Sequence, residues 1–272
     1  MKSVIFHGKT GIRALCALLF LCVVFSLSGC EIRFPEKMIT RNVKGNMKKI
    51  DLPLSCDADT GLSVCIDLVL AETDHVPFRV YPLTDGLSAH AVISYPDGFS
   101  DFGFSAGQEP DGVFLVTAGR DYRYRAEGFS IDIYAPVSVF EISGELEIEA
   151  DCGGLACPEE LTLLLSGAVD VRLSDVSADT VTVTASGAAD IEAEGICSVF
   201  SASIEGAGEI DASELITGDS SVSIKGAGNA AVNASDTLTV SITGAGTVSY
   251  LGEPTVTKNI TGAGSVFQEK DD

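Results

Sequence analysis

Through residues 161–267 the chain alternates apolar and polar positions with period two, the pattern of strands that bury one face and wet the other. The apolar sets are Leu161, Leu163 and Leu165; Val181, Val183 and Ala185; Phe200, Ala202 and Ile204; Val222 and Ile224; and Leu238, Val240 and Ile242. The interleaved positions are nearly all hydroxyl: Thr162 and Ser166, then Thr182, Thr184 and Ser186, Ser201 and Ser203, Ser221 and Ser223, Thr239, Ser241 and Thr243, and Thr257 and Thr261. After each set comes a short glycine-rich cassette and a second strand with inward Val171 and Leu173, Ile191, Ile210, Val232 or Val248. Each unit therefore predicts a strand, a tight corner, a second strand and a wider corner.

The cassettes read Ser166-Gly-Ala-Val-Asp-Val, Ser186-Gly-Ala-Ala-Asp-Ile, Glu205-Gly-Ala-Gly-Glu-Ile, Lys225-Gly-Ala-Gly-Asn-Ala, Thr243-Gly-Ala-Gly-Thr-Val and Thr261-Gly-Ala-Gly-Ser-Val. Their first glycines, Gly167, Gly187, Gly206, Gly226, Gly244 and Gly262, follow one another at a nearly fixed interval. That period is too short for helical hairpins and suits one coil of a solenoid. A sharp corner in a stacked coil needs positive φ, or a backbone too crowded for a β-carbon, and glycine meets both needs. The expected fold is all-β: a single-domain, parallel, right-handed β-helix or β-solenoid of about 18–20 residues per coil. One coil buries too few aliphatic side chains to offset the entropy of ordering itself, so stability comes from stacking.

From Asp51 to about residue 160 no repeat is visible, but alternation persists in Ser63-Val-Cys-Ile-Asp-Leu-Val-Leu and Phe129-Ser-Ile-Asp-Ile-Tyr. Turn signals fall at Asp85-Gly86, Asp97-Gly98 and Asp111-Gly112. This stretch reads as antiparallel strands or irregular early coils that cover the open end of the solenoid, as exposed strand edges require. Gln268 to Asp272 is the candidate cover at the other end. No Pro-rich or Gly/Ser-rich linker interrupts residues 51–272, so they are read as one domain, with a less regular cap (51–160) and clear repeats (161–267).

The first 29 residues read as an export signal: Lys2, Lys9 and Arg13 precede an apolar run from Ala14 to Leu27. The run ends in Leu27-Ser28-Gly29-Cys30, which resembles a bacterial lipoprotein processing box and makes Cys30 the expected lipid-attachment residue. Residues 30–50 then read as a basic tether. Arg33, Lys37, Arg41, Lys44, Lys48 and Lys49 stand against Glu31 and Glu36, a charge of +4 beside anionic headgroups. From Ile50 onward 8 basic residues face 37 acidic ones, and this charge of −29 excludes nucleic acid as a partner. In an oxidising compartment Cys56 with Cys65 and Cys152 with Cys157 are candidate local pairs, and Cys197 reads as a buried small hydrophobe.

Catalytic, metal and cofactor chemistry find no support. The passage from Gly226 to Ala231 mimics a dinucleotide loop, but a strand follows it where that loop needs a helix. Calcium-binding nonapeptide repeats have another period, and the acidic ladder Asp170, Asp190, Glu209 fades into Asn229, Thr247 and Ser265. The repeats carry only Arg172, Lys225 and Lys258 as bases and no histidine, so neither lyase nor Ser-His-Asp chemistry is indicated. His75 and His90 are too few for a zinc site.

The stretch Leu238-Thr-Val-Ser-Ile-Thr-Gly-Ala-Gly-Thr-Val, followed by Ile260-Thr-Gly-Ala-Gly-Ser-Val, resembles the carboxy-terminal pattern of the putative auto-transporter adhesin, head GIN domain family. Phe129-Ser-Ile-Asp-Ile-Tyr-Ala-Pro and Ile142-Ser-Gly-Glu-Leu-Glu-Ile resemble its middle coils, and the likeness spans about residues 61–267. The departures are Val169 and Ala189, where the family usually places a second glycine, and the insertion from Cys152 to Cys157. The resemblance implies an exported, often lipid-anchored β-helical domain, with no catalytic or ligand residues. The expected function is adhesion or surface interaction, with a membrane contact through Cys30 and a glycan or surface protein as partner. The alternative is a structural or sensory envelope module in a membrane-associated complex; a carbohydrate-active enzyme ranks third.

Overall fold

The computed structural model describes residues 39–270, except 57–60, 72–75, 84–86, 120–121 and 153–158. The signal segment 1–29, Cys30, Arg33, Lys37, His75, Cys157 and the Asp85-Gly86 turn lie outside the described residues. The strands are β1 (Ile39–Val43), β2 (Met47–Pro53), β3 (Leu62–Val69), β4 (Phe78–Tyr81), β5 (His90–Pro96), β6 (Ser105–Gln108), β7 (Phe114–Thr117), β8 (Tyr122–Ala126), β9 (Ser130–Tyr134), β10 (Val137–Asp151), β11 (Glu160–Gly206), β12 (Glu209–Gly226), β13 (Asn229–Gly244), β14 (Thr247–Leu251), β15 (Thr255–Gly262) and β16 (Ser265–Gln268). From β10 to β16 all pairing is parallel, each coil lying on the next in a solenoid of about six turns. Every apolar residue of the inward sets from Leu161 to Ile242 is buried, so the alternation reports the lumen directly.

The first glycines of the cassettes stand one above another, with Gly206 opposite Gly226, Gly226 opposite Gly244 and Gly244 opposite Gly262. Their φ values run from 111° at Gly167 to 133° at Gly206, backbone that a side chain rarely adopts. A β-carbon on any of them would fall 2.1–2.6 Å from the carbonyl oxygen of the glycine one coil below. The following alanine uses that same oxygen: Ala207, Ala227, Ala245 and Ala263 donate their N–H groups to Gly187, Gly206, Gly226 and Gly244 at 2.8–3.0 Å. The corner is thus a hydrogen-bonded ladder that leaves no room for a side chain. Gly144 continues the column downward, opposite Gly167, although the chain between these two is longer than between any two neighbouring cassettes.

The second glycine of the cassette obeys a different rule. Its position faces the lumen, where Val169 and Ala189 are buried in the earlier coils. Where glycine stands instead, isoleucine methyl groups occupy the space: a β-carbon on Gly228 would meet Ile204 Cγ2 at 3.0 Å. The two family departures therefore exchange one filling of the lumen for another.

At the N-terminal end the stacking order departs from the chain order. The coil formed by β3 and β4 pairs with β10 on one side and with β7 and β9 on the other. β3 and β4 are thereby held between β7 and β9 on one side and β10 on the other. Beyond this coil the sheet turns antiparallel, with β6 against β7, β5 against β9 and β2 against β5. Between these strands Phe99, on a 3-10 helix spanning Asp97–Phe102, packs against Phe104, Tyr124 and Phe129 with ring centres 5.1–5.3 Å apart. This aromatic plug closes the lumen, and Tyr124 donates its hydroxyl to the Gly119 carbonyl at 2.7 Å. β1 and the first residues of β2 lie within the stretch 30–50 read as a tether, and the compact unit begins at Ile39.

The C-terminal end stops differently. Along one lumen column Ala202, Val222 and Val240 are buried, and the next rung is Lys258, which is exposed. Val256, Ile260 and Val266 beside it are only partly buried. An inward-pointing lysine on an edge strand opposes pairing with a further strand. The tail prolongs the parallel β14–β16 ladder by one rung, Glu269 N–H donating to the Tyr250 carbonyl at 2.8 Å, and the Gln268 side-chain amide donates to the Gly252 carbonyl at 2.7 Å.

Candidate functional site: a hydroxyl face beside a carboxylate face

The strand before each glycine corner presents three outward columns. One runs Ser201, Ser221, Thr239, Thr257; the second Ser203, Ser223, Ser241, Asn259; the third Glu205, Lys225, Thr243, Thr261. The glycine column extends the register down through Thr182, Thr184 and Ser186, and then through Thr162, Leu164 and Ser166. With rungs about 4.8 Å apart and outward positions about 6.7 Å apart along a strand, the face measures about 24 by 13 Å. Its two charges neutralise each other, Lys225 Nζ lying 2.7 Å from Glu205 Oε1. Some hydroxyls are committed to the backbone: Ser166 donates to the Ile142 carbonyl at 3.2 Å and Ser186 to the Leu165 carbonyl at 3.3 Å. The result is a flat, neutral surface on which the other hydroxyls can donate and accept, while Ser166 and Ser186 keep their acceptor capacity.

Past the glycine corner the outward positions change character. One column runs Glu147, Asp170, Asp190, Glu209 and then Asn229, Thr247, Ser265; the next runs Glu149, Arg172, Glu192, Asp211. Arg172 stands among these carboxylates and holds two of them, donating through Nη1 to Glu147 at 3.0 Å and through Nε to Glu192 at 2.9 Å. The two partners lie 25 residues before it and 20 after it, so this clamp joins three coils. Although the Asp170 side chain reaches solvent, partial desolvation within the carboxylate column, reinforced by Asp190 and Glu147, pushes its carboxyl above the ordinary pKa, and Arg172 only partly opposes this. Asp190 and Glu192 share one side of their strand, as the alternation requires, but Glu192 is engaged by Arg172.

The remaining candidates separate from these faces. Cys197 is buried, and desolvation pushes its thiol to a pKa of about 11. His90 stacks on Tyr134 at 4.7 Å between ring centres, Tyr134 stacks on Tyr81 at 5.0 Å, and His90 Nδ1 lies 2.9 Å from the Ser88 carbonyl. These rings form a cross-strand ladder of β4, β9 and β5. Among the described residues no group of three or more His, Cys, Asp or Glu is disposed to hold a metal ion, and no helix is long and apolar enough to cross a membrane.

No curated protein sequence matches the chain. Solved bacterial structures share its fold at low identity. A "putative adhesin" from Bacteroides fragilis superimposes with a TM-score of 0.70 at 18% identity, covering 84% of this chain and 100% of its own. A "putative lipid binding protein" from Parabacteroides distasonis gives 0.58 at 16% identity, and a "putative adhesin" from Parabacteroides merdae gives 0.56 at 16%; each covers 85% of this chain and 100% of its own. These likenesses establish the solenoid architecture. A family model described as "Putative auto-transporter adhesin, head GIN domain" matches residues 117–254, just over half of the chain, from the aromatic cap into the last coils. The chain belongs to that family.

Proposed function

We propose that this protein is an exported lipoprotein, anchored through Cys30, that presents a non-catalytic β-solenoid for adhesion, with the hydroxyl face as its contact surface. The observation that carries this reading is the neutral array of Ser and Thr columns from Thr162 to Thr261 on a chain that is otherwise strongly acidic. Such a face offers many hydrogen bonds, each of a net value of about 1 kcal/mol, to a glycan or a polypeptide surface. Rigid stacked strands hold those hydroxyls in place, so little side-chain entropy is lost on contact. Family membership and the leader sequence agree with a surface location.

The test is binding of the unacylated protein, carrying Cys30→Ser, to arrays of glycans and matrix proteins. The expected result is at least one hit that Ser203→Arg, Ser223→Arg and Ser241→Arg together weaken tenfold or more, while Glu209→Gln on the neighbouring face does not. A hit insensitive to the arginine triple would move the contact off this face, and a blank array would sink the adhesion reading. The anchor is tested separately by whether Cys30→Ser releases the protein from the membrane fraction.

A further inference from the structure

We propose that the N-terminal face of the folded body, built from β1 and β2, is a docking surface for anionic lipid headgroups that stands the solenoid upright on its membrane. Residues 39–53 carry Arg41, Lys44, Lys48 and Lys49 against Asp51 alone, a charge of +3. From residue 54 onward 8 basic residues face 36 acidic ones, a charge of −28. The first strands of the body are thus basic where the remainder of the sequence is acidic, and against them stand the carboxylates of Asp97, beside Gly45, and Glu127, beside Lys44. Basic residues beside an anionic leaflet contribute on the order of 1 kcal/mol each, while carboxylates more than about 8 Å away are largely screened at physiological salt.

These charges do not ride on a loose tether. β2 is the outermost strand of the large sheet, paired to β5 from Met47 to Pro53, and β1 is paired to β8 from Ile39 to Val43. The guanidinium of Arg41 sits 4.7 Å from the centre of the Tyr122 ring, fixing that charge above the aromatic plug. Two large apolar side chains are exposed in the same strands, Ile39 at 56% and Met47 at 52%. Basic and exposed apolar residues together are what a peripheral membrane surface needs, since the charges draw it to the headgroups and the apolar groups enter the boundary. Beside them a cleft of about 780 Å³, lined by Lys44, Arg125 and Glu127 together with Asn42 and Met47, is large enough to admit a headgroup and keeps a net positive lining.

The lysines on β2 also suit a plain edge strand, since charges there discourage pairing with another chain. That role explains Lys48 and Lys49 but neither the exposed Ile39 and Met47 nor the basic cleft. Docking also fits the proposed anchor: Cys30 lies nine residues before Ile39, so even a fully extended connection reaches only about 30 Å. The inference deepens the membrane-anchored reading, and its test avoids the acyl chain so that the two can fail separately.

The secreted chain carrying Cys30→Ser is mixed with vesicles of phosphatidylcholine alone or of phosphatidylcholine with about a third phosphatidylglycerol, whose anionic headgroups give the negative surface that attracts basic residues, and bound protein is sedimented. Binding is expected only with phosphatidylglycerol, weakening as salt rises, and falling tenfold or more in Lys48→Glu/Lys49→Glu. Lys48→Gln/Lys49→Gln, milder on the edge strand, should give an intermediate loss with an unchanged melting temperature. Met47→Ser should weaken vesicle binding as well. Equal binding to both vesicles, or indifference to the Lys48/Lys49 changes, overturns the proposal. So does Met47→Ser binding like the parent while a soluble anionic polysaccharide binds as tightly as the vesicles, which would assign the face to polyanions.

Discussion

Replacing Gly226 by alanine tests the corner ladder on which the solenoid depends. The new β-carbon would fall 2.3 Å from the Gly206 carbonyl oxygen, at a residue whose φ is 131°. Holding a non-glycine residue in such a region costs about 1–3 kcal/mol, and forcing a methyl group into packed surroundings costs about 1–3 kcal/mol more. The oxygen that must retreat also accepts the Ala227 N–H at 2.9 Å, a bond with a net value of about 1 kcal/mol. Together these give about 3–7 kcal/mol, a large share of the 5–15 kcal/mol typical of a folded domain.

Gly228, two residues on in the same cassette, is the internal control. It lacks a positive φ and its side-chain direction is the lumen; an added β-carbon would meet the Ile204 Cγ2 methyl at 3.0 Å, which can shift, and the Gly208 carbonyl oxygen at 3.1 Å, a far milder approach than the 2.3 Å at Gly226. Ala189 already occupies the equivalent position two coils earlier. Gly228→Ala should therefore cost about 1 kcal/mol, the low end of the range for a methyl added to a packed core. Urea unfolding followed by circular dichroism gives the two values, and hydrogen exchange of amides 219–250 shows whether the loss is local or global. Equal destabilisation by the two alanines, or a loss below about 1 kcal/mol for Gly226→Ala, would refute the argument that carbonyl crowding and φ dictate this glycine.

Lys258→Val should let the lumen column run to the very end and expose a bare apolar edge; light scattering after size exclusion is expected to show self-association absent from the parent, and a strictly unchanged mass would disprove the gatekeeping role. Asp170 has its pKa raised in the fold, so the stability linked to its protonation is fully present below its unfolded value of 3.8 and is lost as pH climbs through the raised folded value. Asp170→Asn should accordingly raise the melting temperature at pH 7 and flatten the pH dependence above about pH 4, with the opposite shift counting against burial as the cause. The Cys197 thiol, raised from 9.0 to about 11, should react with iodoacetamide at pH 8 about a hundredfold more slowly than an ordinary cysteine until the chain unfolds, which mass spectrometry of the labelled peptide will report.

How far the chain could be read from its letters depends on whether neighbours in the stack are also neighbours in sequence. From Leu161 onward they are: each coil rests on the one just before it in the chain, so alternation and glycine spacing expose both the lumen residues and the outward hydroxyl columns. Before that the relation fails, because β3 and β4 lie between strands that come later in the chain and no fixed period can connect β3 to β10 or to β7. Gly144 escaped for a related reason, since a longer stretch of chain separates it from Gly167 than separates the cassettes from one another. The Arg172 clamp was hidden too, since choosing Glu147 and Glu192 among many carboxylates requires both the 25-residue and the 20-residue offset.

The two ends of the solenoid follow from the same physics applied to opposite constraints. At the N-terminal end the parallel register is terminated by antiparallel strands, whose turns let the chain double back, and by the rings of Phe99, Phe104, Tyr124 and Phe129 that fill the lumen. That end also bears the basic strands β1 and β2, so it is both plugged and positively charged. At the C-terminal end the coil keeps its full geometry, including the Ala263 N–H to Gly244 bond at 2.8 Å, and changes one lumen residue from valine to lysine. A single charge suffices there because a further strand could be added only by burying that ammonium, which costs far more than the added aliphatic contacts would contribute. The hydroxyl face lies between a plugged basic end and a lysine-guarded end. Head-to-tail stacking of copies is therefore opposed at both junctions, which leaves the sides of the solenoid, and the Ser and Thr columns among them, as the surfaces open to a partner.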